Sequence, residues 1–194
     1  MYPRVHRLLR MADALVVIDI QNEYFPGGAY ALPHAERAAG RAAAAIEAAR
    51  AADVPVVHVR HEEPDSTQGF APGTNGVQTH ASVAPADGEH VIVKNYPNSF
   101  LETDLADHLA SVGASRVAFC GMMTSMCVDA TVRAAADRGL TALLVDDACA
   151  APDLEHRGQQ VDADAVHAAF CAALGDEIAT VIAVSDFSAG PSAV

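Results

Sequence analysis

Three residue types capable of nucleophilic chemistry stand at or just beyond the ends of three separate apolar runs. Asp19 closes "ALVVID" (14–19), and Lys94 closes "HVIVK" (90–94). Cys127 lies a few residues past "RVAFCG" (116–121), in the stretch "GMMTSMCVDA" (121–130). Taken singly, each has an ordinary explanation. An aspartate ending a strand is commonly a turn or cap residue. A lysine after a strand is commonly solvated, and a lone cysteine is more often packed core than nucleophile. The joint occurrence is the signal. A free thiol titrates near ~8.5, so little of it is thiolate at neutral pH. An ammonium ~4 Å away, at an effective dielectric of ~20, contributes roughly 4 kcal/mol, or about three pKa units, toward the thiolate. Helix N–H groups add to that, while a neighbouring carboxylate works against part of it.

For these residues to meet, the elements carrying them must converge. Short β-branched runs alternate with alanine-rich stretches of helical period along the chain. The strands are expected at 14–19, 55–60, 90–94, 116–121, 141–147 and 179–184, and the helices at 35–53, from about Thr103 to Gly113, at 125–139 and at 162–175. Near-continuous apolar strands alternating with helices imply a parallel sheet covered on both faces. The expected architecture is therefore α/β: a three-layer α/β/α sandwich around a six-stranded parallel sheet, in a single domain spanning 1–194 with residues 1–12 as an N-terminal extension. Ligands bind such sheets beyond the carboxyl ends of the strands, where strand order reverses. That edge is where Asp19, Lys94 and the Cys127 turn are delivered. Residues 61–89 carry Pro, Gly, Asp and Ser without periodicity and read as a long loop, a kind that is usually functional.

Bulk composition excludes several classes of function. Of 194 residues 51% are hydrophobic and 19% charged, which is a globular balance able to support a core without disulfides or structural metal. The formal net charge of -13 repels phosphate backbones, so nucleic acid is not an expected partner. Cysteines at 120, 127, 149 and 171 form no C-x-x-C pair and read as reduced thiols of a cytoplasmic protein. The start "MYPRVHRLLRMADALVVIDI" places basic residues before an apolar run, as a signal peptide does. However, the run is short, Asp19 interrupts it and no small-residue cleavage site follows. Met11 is a possible internal start. No segment approaches the ~18 apolar residues of a membrane span, so no membrane partner is expected.

Three blocks, "VVIDIQNEYFPGG", "VIVKNYPNSFLETDL" and "VAFCGMMTSMCVDATVRAAADRG", agree in order and spacing with one family. They resemble the isochorismatase-like cysteine hydrolases, which include nicotinamidases, N-carbamoylsarcosine amidase, ureidoacrylate amidohydrolase, biuret hydrolase and streptothricin hydrolase. The resemblance runs from about residue 14 to 184 and implies the Rossmann-like fold of that family. It implies a catalytic triad of Asp19, Lys94 and Cys127. It also implies a cis peptide at Met122–Met123 and an oxyanion hole formed by the N–H groups of Met123 and Cys127. Asp19 would take the thiol proton, hand it to the leaving amine and then activate water against the thioester. Lys94 would stay cationic and orient the carboxylate. The partners implied are a small-molecule amide and water, and the assembly implied is a homodimer or homotetramer.

The same reading places Gln21, Phe25, Asn95, Met122 and His61 as candidate substrate-binding residues. Gln21 follows Asp19 by two, Phe25 is a pocket wall by resemblance, Asn95 adjoins Lys94, and His61 stands at the pocket mouth. Thr124 and Ser125 read as helix-cap residues. The stretch "GFAPGTNG" (69–76) reads as a lid or interface loop, and Asp146 and Asp147 as capping or salt-bridging residues. Cys120, Cys149 and Cys171 read as buried, inert thiols. No metal site and no cofactor are expected. His58 and His61, three apart on a strand, point to opposite faces, and the Asp-x-His pattern of the nicotinamidases is missing from "HVRHEEPDSTQGF". Two rival functions stay open: vinyl-ether hydrolysis of the isochorismatase type, which needs no thiol, and a non-catalytic interaction module.

Overall fold

Every residue of the run Ala14–Ile18 (β1) is buried, which places this strand inside a sheet covered on both faces. The computed structural model describes residues 12–187, so the expected N-terminal extension falls almost wholly outside the described residues. Within them, β1 is joined in one sheet by Val56–His61 (β2), His90–Lys94 (β3), Arg116–Met122 (β4), Thr141–Ala150 (β5) and, last in the chain, Ala179–Ile182 (β8). The order is β3-β2-β1-β4-β5-β8, and every neighbouring pair is parallel. Chain order runs outward from β1 to β3 and then crosses back to β4. The reversal therefore falls between β1 and β4, at the sheet centre.

The helices are Ala35–Ala51 (α1), Leu105–Ser111 (α2), Asp129–Asp137 (α3) and Ala163–Glu177 (α4). Right-handed crossovers put α1 on one face and the other three on the opposite one, giving three layers. The buried stripe of α1 is six alanines and Ile46, small enough for the helix to lie close on β1, β4 and β5. Asp162 caps α4 by accepting from Ala165 N at 2.8 Å.

The expected elements are found, with three differences. β5 runs on to Ala150 instead of ending at Asp147. Its register with β4 jumps from Phe119↔Leu144 to Gly121↔Cys149, so a bulge absorbs three extra residues around Asp146 and Asp147. Asp147 serves there as an acceptor for Val184 N at 2.8 Å and lies 3.6 Å from Arg41 Nε. A short hairpin, Leu154–His156 (β6) and Gln159–Val161 (β7), follows β5 where no strand was expected. Finally, the edge strand β3 alternates between buried and exposed, with Val91 and Val93 open on a side that no helix among the described residues covers.

The long loop after β2 is pinned across the end of β1. Asn22 N donates to Gln78 O at 3.0 Å, Glu23 N to Gly76 O at 2.9 Å, and His80 N to Ile20 O at 2.8 Å. The far end of β3 is tied down by one carboxylate. Glu89 accepts from Arg50 Nε and Nη2 at 2.8 and 2.7 Å, from Ala86 N at 2.7 Å, and pairs with His58 Nε2 at 2.9 Å. The Arg50 guanidinium, helped by the Ala86 N–H and His58, holds the Glu89 carboxyl at about 2, against its ordinary 4.5. A carboxyl lowered on folding stabilises the fold fully above its unfolded value and loses that contribution as pH falls toward the folded one. Glu89→Gln should therefore cost about 1–3 kcal/mol at neutral pH, after allowing for partial solvent screening. Urea unfolding should show the gap to wild type closing between pH 5 and pH 2.5. A gap that stays constant over that range would contradict the assignment.

Candidate active site

β1, β3 and β4 deliver their side chains to one point above the sheet. The register explains how. Ile18 lies level with Val59 of β2, while Lys94 lies level with His61, two positions further along. Lys94 therefore starts above the end of β1, and its long stem reaches back across β2. Asp19 leaves β1 in the left-handed region, with φ of 50°, which ends the strand. Lys94 Nζ lies 2.7 Å from Asp19 Oδ2, 3.3 Å from Cys127 Sγ and 3.2 Å from His61 Nδ1. Asp19, Lys94 and Cys127 are 0%, 1% and 3% exposed. The Lys94–Asp19 contact is an ion pair without hydrogen-bond alignment, and Asp19 Oδ1 has no donor among the described residues.

An ammonium can only donate, so His61 Nδ1 is the acceptor and the ring proton lies on Nε2, 3.4 Å from Glu63 Oε1. Burial, and after it the Lys94 charge, pull the His61 pKa down, so the ring is neutral.

The turn carrying Cys127 depends on Gly121. This residue has φ of 132°, and a Cβ there would overlap the Ile18 carbonyl of the adjacent strand. The Met122–Met123 peptide that follows is cis. Residues Thr124–Val128 then make a π-helical turn leading into α3. The Met123 carbonyl takes both Met126 N at 3.0 Å and Val128 N at 3.2 Å. Neither Thr124 nor Ser125 caps a helix, contrary to the sequence expectation. Thr124 Oγ1 instead pairs with His167 Nδ1 of α4 at 3.0 Å.

The electrostatics differ from the simplest sequence argument. There, the ammonium drives Cys127 toward thiolate. In the structure, burial pushes the Cys127 thiol far up from its ordinary 9.0, and the Asp19 charge adds to that, while Lys94 opposes both without overcoming them. Lys94 is itself raised: burial acts against its charge, but Asp19 and then Cys127 outweigh burial. The resting site is a carboxylate, an ammonium and a neutral thiol. The other thiols are held protonated by burial, Cys120 and Cys171 both at about 12 and Cys149 well above its ordinary value.

A cavity of about 310 Å³ opens onto Cys127. Of the expected substrate-binding residues, His61 and Asn95 line it, and so does Met123. Gln21, Phe25 and Met122 do not. The Gln21 amide is fully used: it donates to His61 O at 2.8 Å and Val77 O at 2.7 Å, and accepts from His61 N at 2.8 Å. It holds the end of β2 and the loop in place. Phe25 stacks on His80 at 3.7 Å and lines a separate cavity of about 480 Å³. Met122 is wholly buried in β4. The aromatic wall is made by Tyr24, Tyr30 and Phe70. The short 3₁₀ turn Asn22–Tyr24 buries Tyr24 just before Phe25. Phe70 comes from the stretch expected to be a lid, with its ring 5.2 Å from Tyr24, 5.6 Å from Tyr30 and 5.4 Å from His61.

His58 faces Glu89 while His61 faces Lys94, so the two do not form a shared ligand set. Among the described residues, Asp146, His167 and Cys171 bring three donors within 4.8 Å of one another. The Cys171 sulfur lies 3.9 and 3.6 Å from the two His167 nitrogens.

The geometry can be set beside known proteins. Residues 13–182 match the isochorismatase domain model. The isochorismatase family protein YddQ of Bacillus subtilis is 47% identical over 88% of this chain and 96% of its own length. Streptothricin hydrolase of Streptomyces noursei is 36% identical over 94% of this chain and 74% of its own. The crystal structure of an isochorismatase from Pseudomonas putida superposes with a TM-score of 0.86 at 31% identity, covering 95% of this chain and 93% of that one. Sequence and overall fold agree over nearly the whole described length, and the chain belongs to the isochorismatase family of hydrolases.

Proposed function

We propose that the chain hydrolyses a C–N bond (amide, lactam or urea-like) of a small molecule through a thioester on Cys127. The observation that carries this reading is the buried contact of one ammonium with both a carboxylate and a thiol, at 2.7 and 3.3 Å, at the floor of a cavity. Because the resting sulfur is a thiol, attack must be coupled to proton transfer. Cys127 Sγ bonds to the substrate carbonyl as its proton passes to Asp19. The oxyanion is received by the N–H groups of Met123 and Cys127. Losing a donor of that kind typically costs ~100-fold or more in rate. Protonated Asp19 then protonates the leaving amine as the C–N bond breaks. In the second half, Asp19 takes a proton from water attacking the thioester, and the thiol is restored. Lys94 keeps its proton throughout and holds the carboxylate.

The relative named streptothricin hydrolase supports C–N chemistry on this scaffold. Vinyl-ether hydrolysis has no use for a nucleophilic thiol. A non-catalytic module gives no return for burying an ion pair beside a cysteine, since such burial is expensive. The same reading carries an assembly of two or four copies, a cytoplasmic location, and turnover that needs neither cofactor nor metal. Among the described residues no helix is long and apolar enough to cross a membrane.

Cys127→Ala should abolish turnover of every amide that the wild type cleaves while leaving the unfolding midpoint near wild type. Asp19→Asn should lower kcat by at least ~100-fold, as removal of a general base does. Retained turnover in either variant would sink the thioester route. Because the Cys127 thiol is raised, its alkylation by iodoacetamide should still be accelerating as pH passes the ordinary thiol value of 9.0. Peptide mapping should find label there before the other three cysteines, since Cys127 opens onto a cavity. A rate plateau below that pH would show the resting site to be a thiolate. Prolonged treatment with a chelator should leave turnover unchanged. Loss of activity that added zinc or iron restores would overturn the metal-free reading.

A further inference from the structure

The cavity above Cys127 has an unusual charge balance for a site meant to hold small polar molecules. Its lining contains no Lys or Arg among the described residues. Lys94 lies below the floor, neutralised by Asp19 at 2.7 Å. The nearby Arg60 is taken by Glu62 at 2.6 Å and Gln78 at 3.1 Å. His61 is neutral, for the reasons given above. One formal charge therefore remains on the wall, the Glu63 carboxylate.

Glu63 is held ready for a partner. Its backbone N–H donates to Phe70 O at 2.9 Å, which ties the Glu63 backbone to that of the aromatic wall. Its side chain is half exposed, and its contact with a titratable partner among the described residues is the long one to the neutral His61 ring, Nε2 to Oε1 at 3.4 Å. Asn95 is biased the same way. One of its two Nδ2 hydrogens goes to Glu62 O at 2.7 Å, and no donor among the described residues reaches its amide oxygen. The polar part of the wall thus carries one negative charge and no cationic side chain among the described residues, and Tyr24, Tyr30 and Phe70 supply aromatic surface of a kind that attracts cations. A carboxylate-bearing substrate would meet repulsion from Glu63 with no cation in the lining among the described residues to compensate. The volume of about 310 Å³ suits a compact molecule, at the small end of the ~300–1,000 Å³ seen for ligand pockets.

We propose that the substrate of this site is a small amide bearing an ammonium group, with the ammonium seated against Glu63 and the aromatic wall while the amide carbonyl lies over Cys127. The proposal rests on the amide-hydrolase reading for the orientation of the carbonyl, but the charge preference can be tested separately.

The test uses three probes of nearly equal size: 4-aminobutanamide (cation), pentanamide (neutral) and succinamate (anion). Their Kd values are measured by calorimetry on the full-length Cys127→Ala protein, and their turnover on the wild type. The cation should bind at least about fivefold more tightly than the neutral amide, with the anion weakest, as expected for a partly exposed charge-assisted contact. Glu63→Gln should collapse the cation-to-neutral ratio toward one, and added salt should shrink it in the unaltered site. A cation that binds no better than pentanamide, an anion that binds best, no binding by any of the three, or a ratio unmoved by Glu63→Gln would each overturn the proposal. If the binding order holds but the wild type cleaves none of the three, the charge preference stands and the amide-hydrolase reading is what fails.

Discussion

A single buried ammonium organises this protein. Lys94 Nζ touches a carboxylate, a sulfur and an imidazole nitrogen within 3.3 Å, at a position almost closed to water. Removing a charge of that size from water costs several kcal/mol, and only the pairing with Asp19 makes it tolerable. The pairing has a chemical consequence. Burial raises the thiol first, the Asp19 charge that balances the ammonium adds to that rise, Lys94 opposes both without overcoming them, and the sulfur rests protonated. The account therefore places the activating proton transfer inside the reaction, with Asp19 as the acceptor, and Lys94 as the group that keeps that acceptor charged and aimed.

The rest of the fold can be read as the means of bringing three side chains to that ammonium. Parallel register sets β3 higher than β1, so a lysine and not a shorter residue is needed to span the gap. The close approach of β4 to β1 at Gly121 admits no side chain, and it sets where the cysteine turn begins. Gln21 fastens the end of β2 and the following loop with three hydrogen bonds, which fixes His61 against Lys94. On the far side, Thr124 links the turn to His167 of α4. None of these residues needs to meet substrate to matter for the site.

The strands were legible because buried parallel strands write themselves as short apolar runs, and their carboxyl ends then pointed to Asp19, Lys94 and the Cys127 turn. What stayed hidden has physical reasons. The β5 bulge was missed because two consecutive aspartates look like the end of a strand, whereas here a bulge turns Asp147 toward Val184 N and Arg41. The pocket wall was placed on Phe25 because a short 3₁₀ turn, which has no sequence period, decides which of two adjacent aromatics faces the cavity. Phe70 and Glu63 come from a loop whose path is set by backbone hydrogen bonds to residues 22 and 23 and by a left-handed φ of 60° at Phe70, neither of which composition announces. Gln21 was expected to bind substrate, and its three protein partners could be seen only once the loop was in place. The protonated state of Cys127 was also beyond the sequence, since it depends first on how deeply the sulfur is buried and then on the two opposite charges beside it.

The claim on which the account turns is that Cys127 carries the acyl group. Rapid acid quench of the wild-type enzyme during turnover of a cleavable amide, followed by peptide-mapped mass spectrometry, reads this directly. The account predicts an acyl mass on the peptide containing Cys127 that appears within a turnover and disappears when substrate is exhausted. Turnover with no adduct on that peptide at any quench time, or with the acyl mass on Cys120, Cys149 or Cys171, would contradict it.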